Sequence, residues 1–367
     1  MMTSKERVLH AVRRDDVPDR VPLQFDLCES LLEKFSRKHG LILDYQHSYY
    51  EDLTYRIAAN DLRTAMGSDV VVVGGTAGAN FTLQEDEQGV MVNEFGMEMR
   101  KGPFYMDIIK PPLGHISSLE EAQAYSFPDP TDPARYIQAE KDITRFKDDY
   151  FIIGDCEVTI FAMVRQLLGM EKFLVDVMLK EAYMAVLLEK AFNWSLGVSL
   201  ELVRRGADAV WFGDDFGTQE SLIMSAELWR EMFKPLYANL IKRIRAVKPD
   251  VIIIQHSDGA VAPLLGDFIE IGIDVFNPVQ PNVPGHGTEE LEDRFGKDIT
   301  FFGAIDQQYL LPRGTPEEIE ADVQEKMRVL GRDGGYIIAP AHIIQADTPV
   351  ENVEAFIGAV KKYGGYT

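Results

Sequence analysis

The sequence predicts an α/β protein of the (β/α)8 TIM-barrel class, a closed parallel sheet surrounded by helices. Eight short apolar runs alternate with longer stretches of helical periodicity, which is the pattern of that barrel. The runs begin near Val21, Asp69, Tyr150, Ala207, Val251, Ile273, Ile299 and Tyr336. A run of β-branched residues such as Val251–Ile254 is typical of a parallel strand buried on both faces. An open doubly wound sheet is the alternative, but it normally carries a nucleotide-binding glycine fingerprint, which we do not find.

The first part of the chain is predicted to supply two strands, three helices and an insertion. The helices cover Thr3–Arg14, Glu29–His39 and Tyr49–Thr64, where apolar residues recur at helical spacing. One strand covers Val21–Phe25, and the strand from Asp69 ends in a glycine-rich turn that lacks the lysine of a phosphate-binding loop. Residues 80–110 contain short β segments around turns, so we expect a β-hairpin insertion beside the barrel mouth.

The rest of the chain alternates regularly between strands and helices. Helices are expected over Asp132–Phe146, in the long stretch that ends at Arg205, over Ala226–Val247 and over Pro349–Tyr363. The length of 367 residues suits one barrel, so we expect a single domain covering residues 1–367.

Composition and charge exclude several classes of function. The formal net charge is −22, whereas a nucleic-acid-binding surface is normally basic, so no nucleic-acid partner is expected. No stretch approaches 18 consecutive apolar residues, so no membrane span is expected. The sequence has two cysteines and no apolar segment of a secretory signal near its start, which favours a cytoplasmic protein.

Polar residues that could carry chemistry follow the predicted strands. In a parallel barrel, side chains at the C-terminal ends of the strands converge on one mouth. These residues are Asp26, Asp155, Glu157, Asp214, Asp215, Gln255, His256, Asp258, Asn277, Asp306 and His342. So many carboxylates around one mouth repel one another unless some are protonated or a cation neutralises them. Zinc suits imidazole with carboxylate. His256 and His342 both follow short apolar runs that end in turn residues, so we expect the two histidines to meet at this mouth.

The individual roles keep alternatives open at this point. His256 and Asp258 are predicted either to bind a metal or move a proton, or to cap the helix that follows them. Asp214 and Asp215 are predicted to be catalytic residues that face the substrate, with helix capping as the alternative. Three further residues, Asp26, Gln255 and Asn277, are predicted to contact the substrate.

Several motifs resemble the uroporphyrinogen decarboxylase superfamily, which also contains cobalamin-dependent methyltransferases. The resemblance covers nearly the whole chain. Its markers are Pro18-Asp-Arg-Val-Pro, Phe127-Pro-Asp-Pro, Gly213-Asp-Asp-Phe-Gly-Thr-Gln, His256-Ser-Asp-Gly, Asn277-Pro-Val-Gln and the segment from Gly334 to Asn352. The resemblance implies a (β/α)8 barrel, in agreement with the strand count. The decarboxylase itself carries an Arg-Gln-Ala-Gly-Arg segment that grips substrate carboxylates, and Val21–Glu29 here lacks it, so no decarboxylation of uroporphyrinogen is expected.

The resemblance implies a particular metal site and reaction. In the methyltransferase branch, zinc is held by a His-x-Cys segment and a later cysteine. His256 matches the histidine, whereas Asp258 and His342 stand where the two cysteines would be. Glu157 resembles a carboxylate that can reach the metal in that branch. The predicted zinc ligands are therefore His256, His342, Asp258 and Glu157.

The implied reaction removes a methyl group from a small methylated compound, such as a methoxylated aromatic. The methyl group then passes to cobalamin carried by a separate corrinoid protein, because this chain lacks an Asp-x-His-x-x-Gly corrinoid segment. The alternatives are a decarboxylase-like lyase without metal and a non-catalytic barrel that binds a tetrapyrrole or a partner protein.

Overall fold

Ten strands are present in the computed structural model, which describes residues 2–102 and 105–366. They are β1 (Val70–Gly74), β2 (Val90–Val92), β3 (Glu98–Lys101), β4 (Met106–Lys110), β5 (Phe151–Asp155), β6 (Ala209–Gly213), β7 (Ile252–His256), β8 (Val275–Val279), β9 (Thr300–Ile305) and β10 (Tyr336–Pro340). Seven of them form one parallel sheet in the order β1-β5-β6-β7-β8-β9-β10. Every residue of these seven strands is buried, as expected for strands with helices on one side and a barrel core on the other. Seven of the eight predicted strands are thus confirmed within two residues.

The predicted strand near Val21 closes the barrel between β10 and β1. The backbone NH of Gln24 donates to the carbonyl of Ile338 over 3.1 Å, on the β10 side. On the other side, the NH of Asp69 donates to the carbonyl of Leu23 over 2.8 Å. Residues 21–27 therefore occupy the eighth position of the sheet, and the predicted (β/α)8 barrel is confirmed.

Sixteen α-helices lie around the sheet in the described part of the chain. They are α1 (Ser4–Arg13), α2 (Glu29–His39), α3 (Glu51–Ala58), α4 (Asn60–Met66), α5 (Leu119–Ala124), α6 (Ile137–Phe146), α7 (Phe161–Leu168), α8 (Met170–Leu179), α9 (Ala182–Arg205), α10 (Ala226–Met232), α11 (Lys234–Arg245), α12 (Leu265–Ile271), α13 (Thr288–Phe295), α14 (Leu310–Arg313), α15 (Pro316–Val329) and α16 (Val350–Tyr363). Across the described residues, no helix combines the length and the apolarity that crossing a bilayer requires.

Two predicted helices are interrupted. The helix predicted over Tyr49–Thr64 divides into α3 and α4 at Ala59. The helix predicted over Ala226–Val247 divides at Phe233, because Pro235 lies in the first turn of α11. Proline has no NH to donate back to the preceding turn, so it begins a new helix there.

The insertion is an antiparallel sheet of three strands, in the order β2-β3-β4. The sequence predicted a hairpin of two strands near residues 80–110, so the position is confirmed and the strand number is corrected. Pro103 and Phe104, which fall in the predicted hairpin, lie outside the described residues, as do Met1 and Thr367. The inner face of the sheet packs against the core through Met99 and Ile108.

Candidate metal and active site

His256 is the last residue of β7 and lies at the barrel mouth. Its ring stacks on the indole of Trp211, with the ring centroids 6.0 Å apart and the planes at 26°. Trp211 belongs to the neighbouring strand β6, so two adjacent strands hold the imidazole in place.

Asn277 determines which nitrogen of His256 is free. Nδ1–H of His256 donates to Oδ1 of Asn277 over 2.7 Å, which leaves Nε2 of the neutral ring without a proton. Oδ1 of Asp215 and Oδ1 of Asp258 each lie 3.8 Å from that Nε2. Metal-binding histidines are typically held in this way, with one ring nitrogen donating to an oxygen and the other free.

Two crossing loops place Asp258. Its backbone NH, in the loop after β7, donates over 3.0 Å to Oδ1 of Asp215, in the loop after β6. Gly259 adopts a φ of +83°, and a Cβ there would stand 2.5 Å from the carbonyl carbon of Gly217. Only glycine fits this approach without strain. The contact between the two loops therefore explains the glycine that follows Asp258.

His342 follows β10 and completes a cluster of three ligating groups. Its ring centroid lies 5.8 Å from that of His256, and its Nε2 lies 3.6 Å from Oδ2 of Asp258. One ligand atom from each of the three residues lies within 4.8 Å of the other two. Nδ1 of His342 is buried and has no hydrogen-bond partner among the residues described. The structure therefore brings His256 and His342 to one mouth, as the sequence predicts.

The donor set of this cluster fits a zinc ion. Two imidazoles and one carboxylate are ligands that zinc favours, and three protein ligands leave a further position open for a substrate. The nitrogen-to-oxygen separations of 3.6 and 3.8 Å are too long for hydrogen bonds. Two ligands on one tetrahedral zinc ion would stand about 3.3 Å apart. Small side-chain shifts would therefore bring all three groups onto the metal.

The charges around the cluster also favour a cation. Burial alone lowers the pKa of His256, but the carboxylates of Glu157, Asp258 and Asp215 outweigh burial and raise it. Burial raises the pKa of Asp258, although the charges of His342 and His256 act against that rise. Negative charge crowded around the cluster contributes to both shifts, and a bound metal ion would offset that charge at a single position.

Glu157 lies beside the cluster, but its carboxylate is engaged elsewhere. Arg56 donates a hydrogen bond to Oε2, and the indole NH of Trp211 donates to Oε1 over 3.1 Å. Oε1 is 3.9 Å from Nδ1 of His256, the nitrogen that faces Asn277. The arrangement does not group Glu157 with the other three predicted ligands, because it lies on the far side of the His256 ring from Asp258.

Asp26, which the sequence predicts to contact the substrate, is buried and has close internal partners. Arg63 donates to its Oδ1 over 2.6 Å, and Gln24 donates to its Oδ2 over 3.0 Å. Nε of Arg56 lies 3.4 Å from the same Oδ2. Burial by itself raises the pKa of Asp26, but the two arginines lower it further than burial raises it. Both carboxylate oxygens are therefore committed to internal partners.

The two neighbouring aspartates after β6 have different surroundings. Asp214 is buried and accepts backbone NH groups of Ile160 and Ala162 over 3.0 and 2.6 Å, as well as the hydroxyl of Tyr237. It therefore caps the N-terminus of α7, which is the alternative that the sequence left open, and a catalytic role for Asp214 stays a prediction. Asp215 is partly exposed and lies near Nε2 of His256, where it is available to a substrate.

Gln255 and Asn277 both make hydrogen bonds within the protein. Gln255 precedes His256 in β7, and successive side chains of a strand point to opposite faces, so Gln255 faces away from the barrel interior. Its Nε2 donates to the carbonyl of His256 over 2.7 Å. Asn277 orients His256. Substrate contact by Gln255 and Asn277 stays a prediction.

Tyr105 is a residue of the mouth that sequence reasoning missed. Its ring packs edge-on against His342, with the centroids 5.8 Å apart. Together with Asp258, Asp306 and Gln280 it lines a polar cleft of about 90 Å³. The only signal in the sequence was an aromatic residue in the insertion, and nothing in that segment indicates which strand end it reaches.

Comparison with known proteins gives a family, a partial relative and a similar fold. The family model described as uroporphyrinogen decarboxylase (URO-D) matches residues 89–363. A curated protein of Methanosarcina mazei named methylated-thiol--coenzyme M methyltransferase is 29% identical over 157 residues, which are 43% of this chain and 38% of that protein. The match thus spans less than half of the relative. A solved structure described as a methyltransferase from Methanosarcina mazei has a TM-score of 0.72 at 18% identity, covers 99% of both chains and shares the fold.

Proposed function

The chain belongs to the uroporphyrinogen decarboxylase family, and from this premise we propose that it is a zinc-assisted methyltransferase. The methyl group comes from a small methylated compound, and a separate corrinoid protein accepts it. The observation that carries the proposal is the cluster of His256, Asp258 and His342 at the barrel mouth. The name of the partial relative supports methyl transfer as the class of reaction.

The donor set favours activation of a leaving group. Two neutral imidazoles and one carboxylate leave a bound zinc ion with a net positive charge, whereas thiolate ligands would reduce it. When bound, zinc supplies Lewis acidity at the heteroatom that carries the methyl group, either an ether oxygen or a thioether sulfur. A methoxylated aromatic is one such compound.

The residues around the cluster keep it ready for this chemistry. Asn277 holds His256 so that Nε2 faces the open side of the mouth, and Arg56 neutralises Glu157 behind the ring. The Asp215 and Asp258 carboxylates are 37% and 35% exposed, so the mouth is open to a substrate and to a partner that carries cobalamin. Asp215 can hold or move a proton at the leaving group.

Two rival functions make different demands on the mouth. A decarboxylase-like lyase would need no metal, and a porphyrinogen with several carboxylates would be repelled by Asp215, Asp258 and Asp306. A non-catalytic barrel would bind its ligand without any turnover. Measured decarboxylation of uroporphyrinogen would favour the first rival over our proposal.

The test combines metal content with methyl transfer. We expect the purified protein to retain zinc after the ion is added back. We also expect it to transfer a methyl group to free cob(I)alamin from at least one compound in a panel of methyl ethers and thioethers. The absorbance of the cobalamin measures this transfer. His256→Ala and His342→Ala should lose metal and transfer together. His39→Ala, which removes an exposed histidine of α2, is the matched control and should retain both. If both cluster variants keep full zinc and full transfer, the proposal is wrong.

A further inference from the structure

We infer that the cleft beneath the three-stranded insertion binds the body of the methyl donor and selects a donor with an apolar ring and no negative charge. This inference rests on the proposed function for the identity of the reacting group. It is supported by the cavity, by its connection to the metal cluster and by the charges that line it.

The cleft is large enough for a ring and is lined by suitable side chains. It has a volume of about 300 Å³ and lies between the insertion and the segment that leads into α3. Ligand pockets of this kind begin at roughly this size. Its apolar lining is aromatic and thioether-rich, namely Tyr45, Tyr49, Tyr55, Phe81, Leu83, Met91, Met99 and Met106. Thioether side chains adapt their shape, and tyrosine rings offer flat faces, so together they suit a planar guest.

A second cleft adjoins this one and includes a residue that packs against the metal cluster. A neighbouring cleft of about 170 Å³ shares Met99 and Met106 with it and is also lined by Tyr105. Tyr105 packs against His342, as described above. Tyr105 also lines the polar cleft at the mouth, together with Asp258 and His342. In the inferred arrangement, a donor whose ring lies among the methionines extends along Tyr105 toward the cluster.

The lining charges disfavour an anionic donor. Among the described residues that line these clefts, Lys101 is the only permanent cation, and it pairs with Glu29. Glu51 and Asp52 also line the route, each with one oxygen accepting a tyrosine hydroxyl over 2.8 Å. No arginine or lysine is left to receive a carboxylate or sulfonate, so an anionic donor would meet uncompensated negative charge.

The alternation of β4 provides a matched pair of variants. Met106 and Ile108 face the clefts, whereas Asp107 and Ile109 point to the other side, where Ile109 is 45% exposed. Met106→Trp fills the cleft, and Ile109→Trp adds the same bulk outside it. Leu83→Trp, from another part of the lining, repeats the test if Met106→Trp does not fold.

The experiment measures binding of three ring compounds to the zinc-loaded protein by calorimetry. The probes are 4-methoxybenzyl alcohol, 4-methoxybenzylamine and 4-methoxybenzoate, which differ in charge and share the ring and the methyl ether. We expect the benzoate to bind about tenfold or more weakly than the alcohol. Met106→Trp should weaken binding of the alcohol about tenfold, whereas Ile109→Trp should leave the affinity for the alcohol unchanged. Asp52→Asn should reduce the preference for amine over benzoate about threefold, whereas Asp250→Asn, at the other end of the barrel, should not.

The outcomes separate this inference from the proposed function. Equal binding of alcohol and benzoate, or equal effects of the two tryptophan variants, would overturn the inference. Methyl transfer from the three probes to cob(I)alamin is measured in parallel. Transfer that does not depend on probe charge refutes the inference and keeps the function. The probes could instead bind with the expected order of affinities while no methyl group is transferred from them or from any compound of the wider panel. That result refutes the function and keeps the inference.

Discussion

Two buried or half-buried aspartates at opposite ends of the barrel have contrasting surroundings. Asp69, at the N-terminal end of β1, accepts hydrogen bonds from Arg7, Arg20 and Ser4 over 2.6 to 2.7 Å. Asp258, at the mouth, has its nearest imidazole nitrogens at 3.6 and 3.8 Å. A carboxylate surrounded by close donors is committed to the fold. A carboxylate held between imidazoles at longer distances is free to bind a cation.

The largest effect should come from Asp69→Ala. It leaves Arg7 and Arg20 without their shared buried carboxylate and removes the acceptor for the NH of Leu23. Breaking such a pair costs about 3–5 kcal/mol, because a buried charge is left uncompensated. Denaturant unfolding of the metal-free protein measures this loss. A change below about 1 kcal/mol would show that the close donors do not define a structural carboxylate.

Asp258→Asn should lower the affinity for zinc while leaving the stability of the fold nearly unchanged. The carboxylate makes no close ion pair, and removing a negative charge from a crowded acidic mouth relieves repulsion. We therefore expect unfolding free energy within about 1 kcal/mol of the parent. Zinc affinity, measured by competition with a chromogenic chelator, should fall about 100-fold or more because a ligand is lost. Unchanged affinity would remove Asp258 from the metal site.

Asn277→Ala should weaken the site without removing a ligand. His256 then loses the acceptor for its Nδ1–H, so its ring orientation and tautomer are no longer fixed. Loss of such a supporting hydrogen bond lowers metal affinity about 10- to 100-fold. The same chelator competition measures it, and Asn277→Asp, which keeps an acceptor oxygen, should restore much of the affinity. Equal losses in both variants would contradict a positioning role.

The smallest effect should distinguish the two aspartates after β6. Asp215→Asn should lower the turnover number of methyl transfer about tenfold, while zinc content and the unfolding midpoint stay unchanged. Asp214→Ala, which uncaps α7, should instead cost about 2 kcal/mol of unfolding free energy and leave zinc content intact. If Asp215→Asn lost metal, Asp215 would be a ligand rather than a group that acts on the substrate.

The barrel and the two histidines were predictable because both depend on local pattern. Apolar runs mark buried strands wherever they lie, and His256 and His342 follow two of them. The direction of the Gln255 side chain was not predictable, because the apolar run ends at Ile254 while β7 continues to His256, and a shift of one residue reverses the face of a side chain.

The partners of the carboxylates were not predictable for a different reason. Asp26 meets two arginines from helices far along the chain, and Asp214 meets the N-terminus of α7, more than 50 residues earlier. Burial, hydrogen bonding and charge decide whether an acid is structural or reactive, and these partners come from tertiary packing. Tyr105 was missed because no periodicity shows where an insertion folds.

Because residues 21–27 pair with β10, the barrel can close only after β10 has been synthesised. Leu23 pairs with Ile338, and Leu27 pairs with Ile344, so the first and the last strand positions of the barrel are adjacent. On the ribosome, most strands of the sheet are therefore synthesised before residues 21–27 can pair with a strand on both sides. Until β10 leaves the exit tunnel, the growing sheet has open edges to which another strand could add. A chaperone that covers these edges would act at this stage.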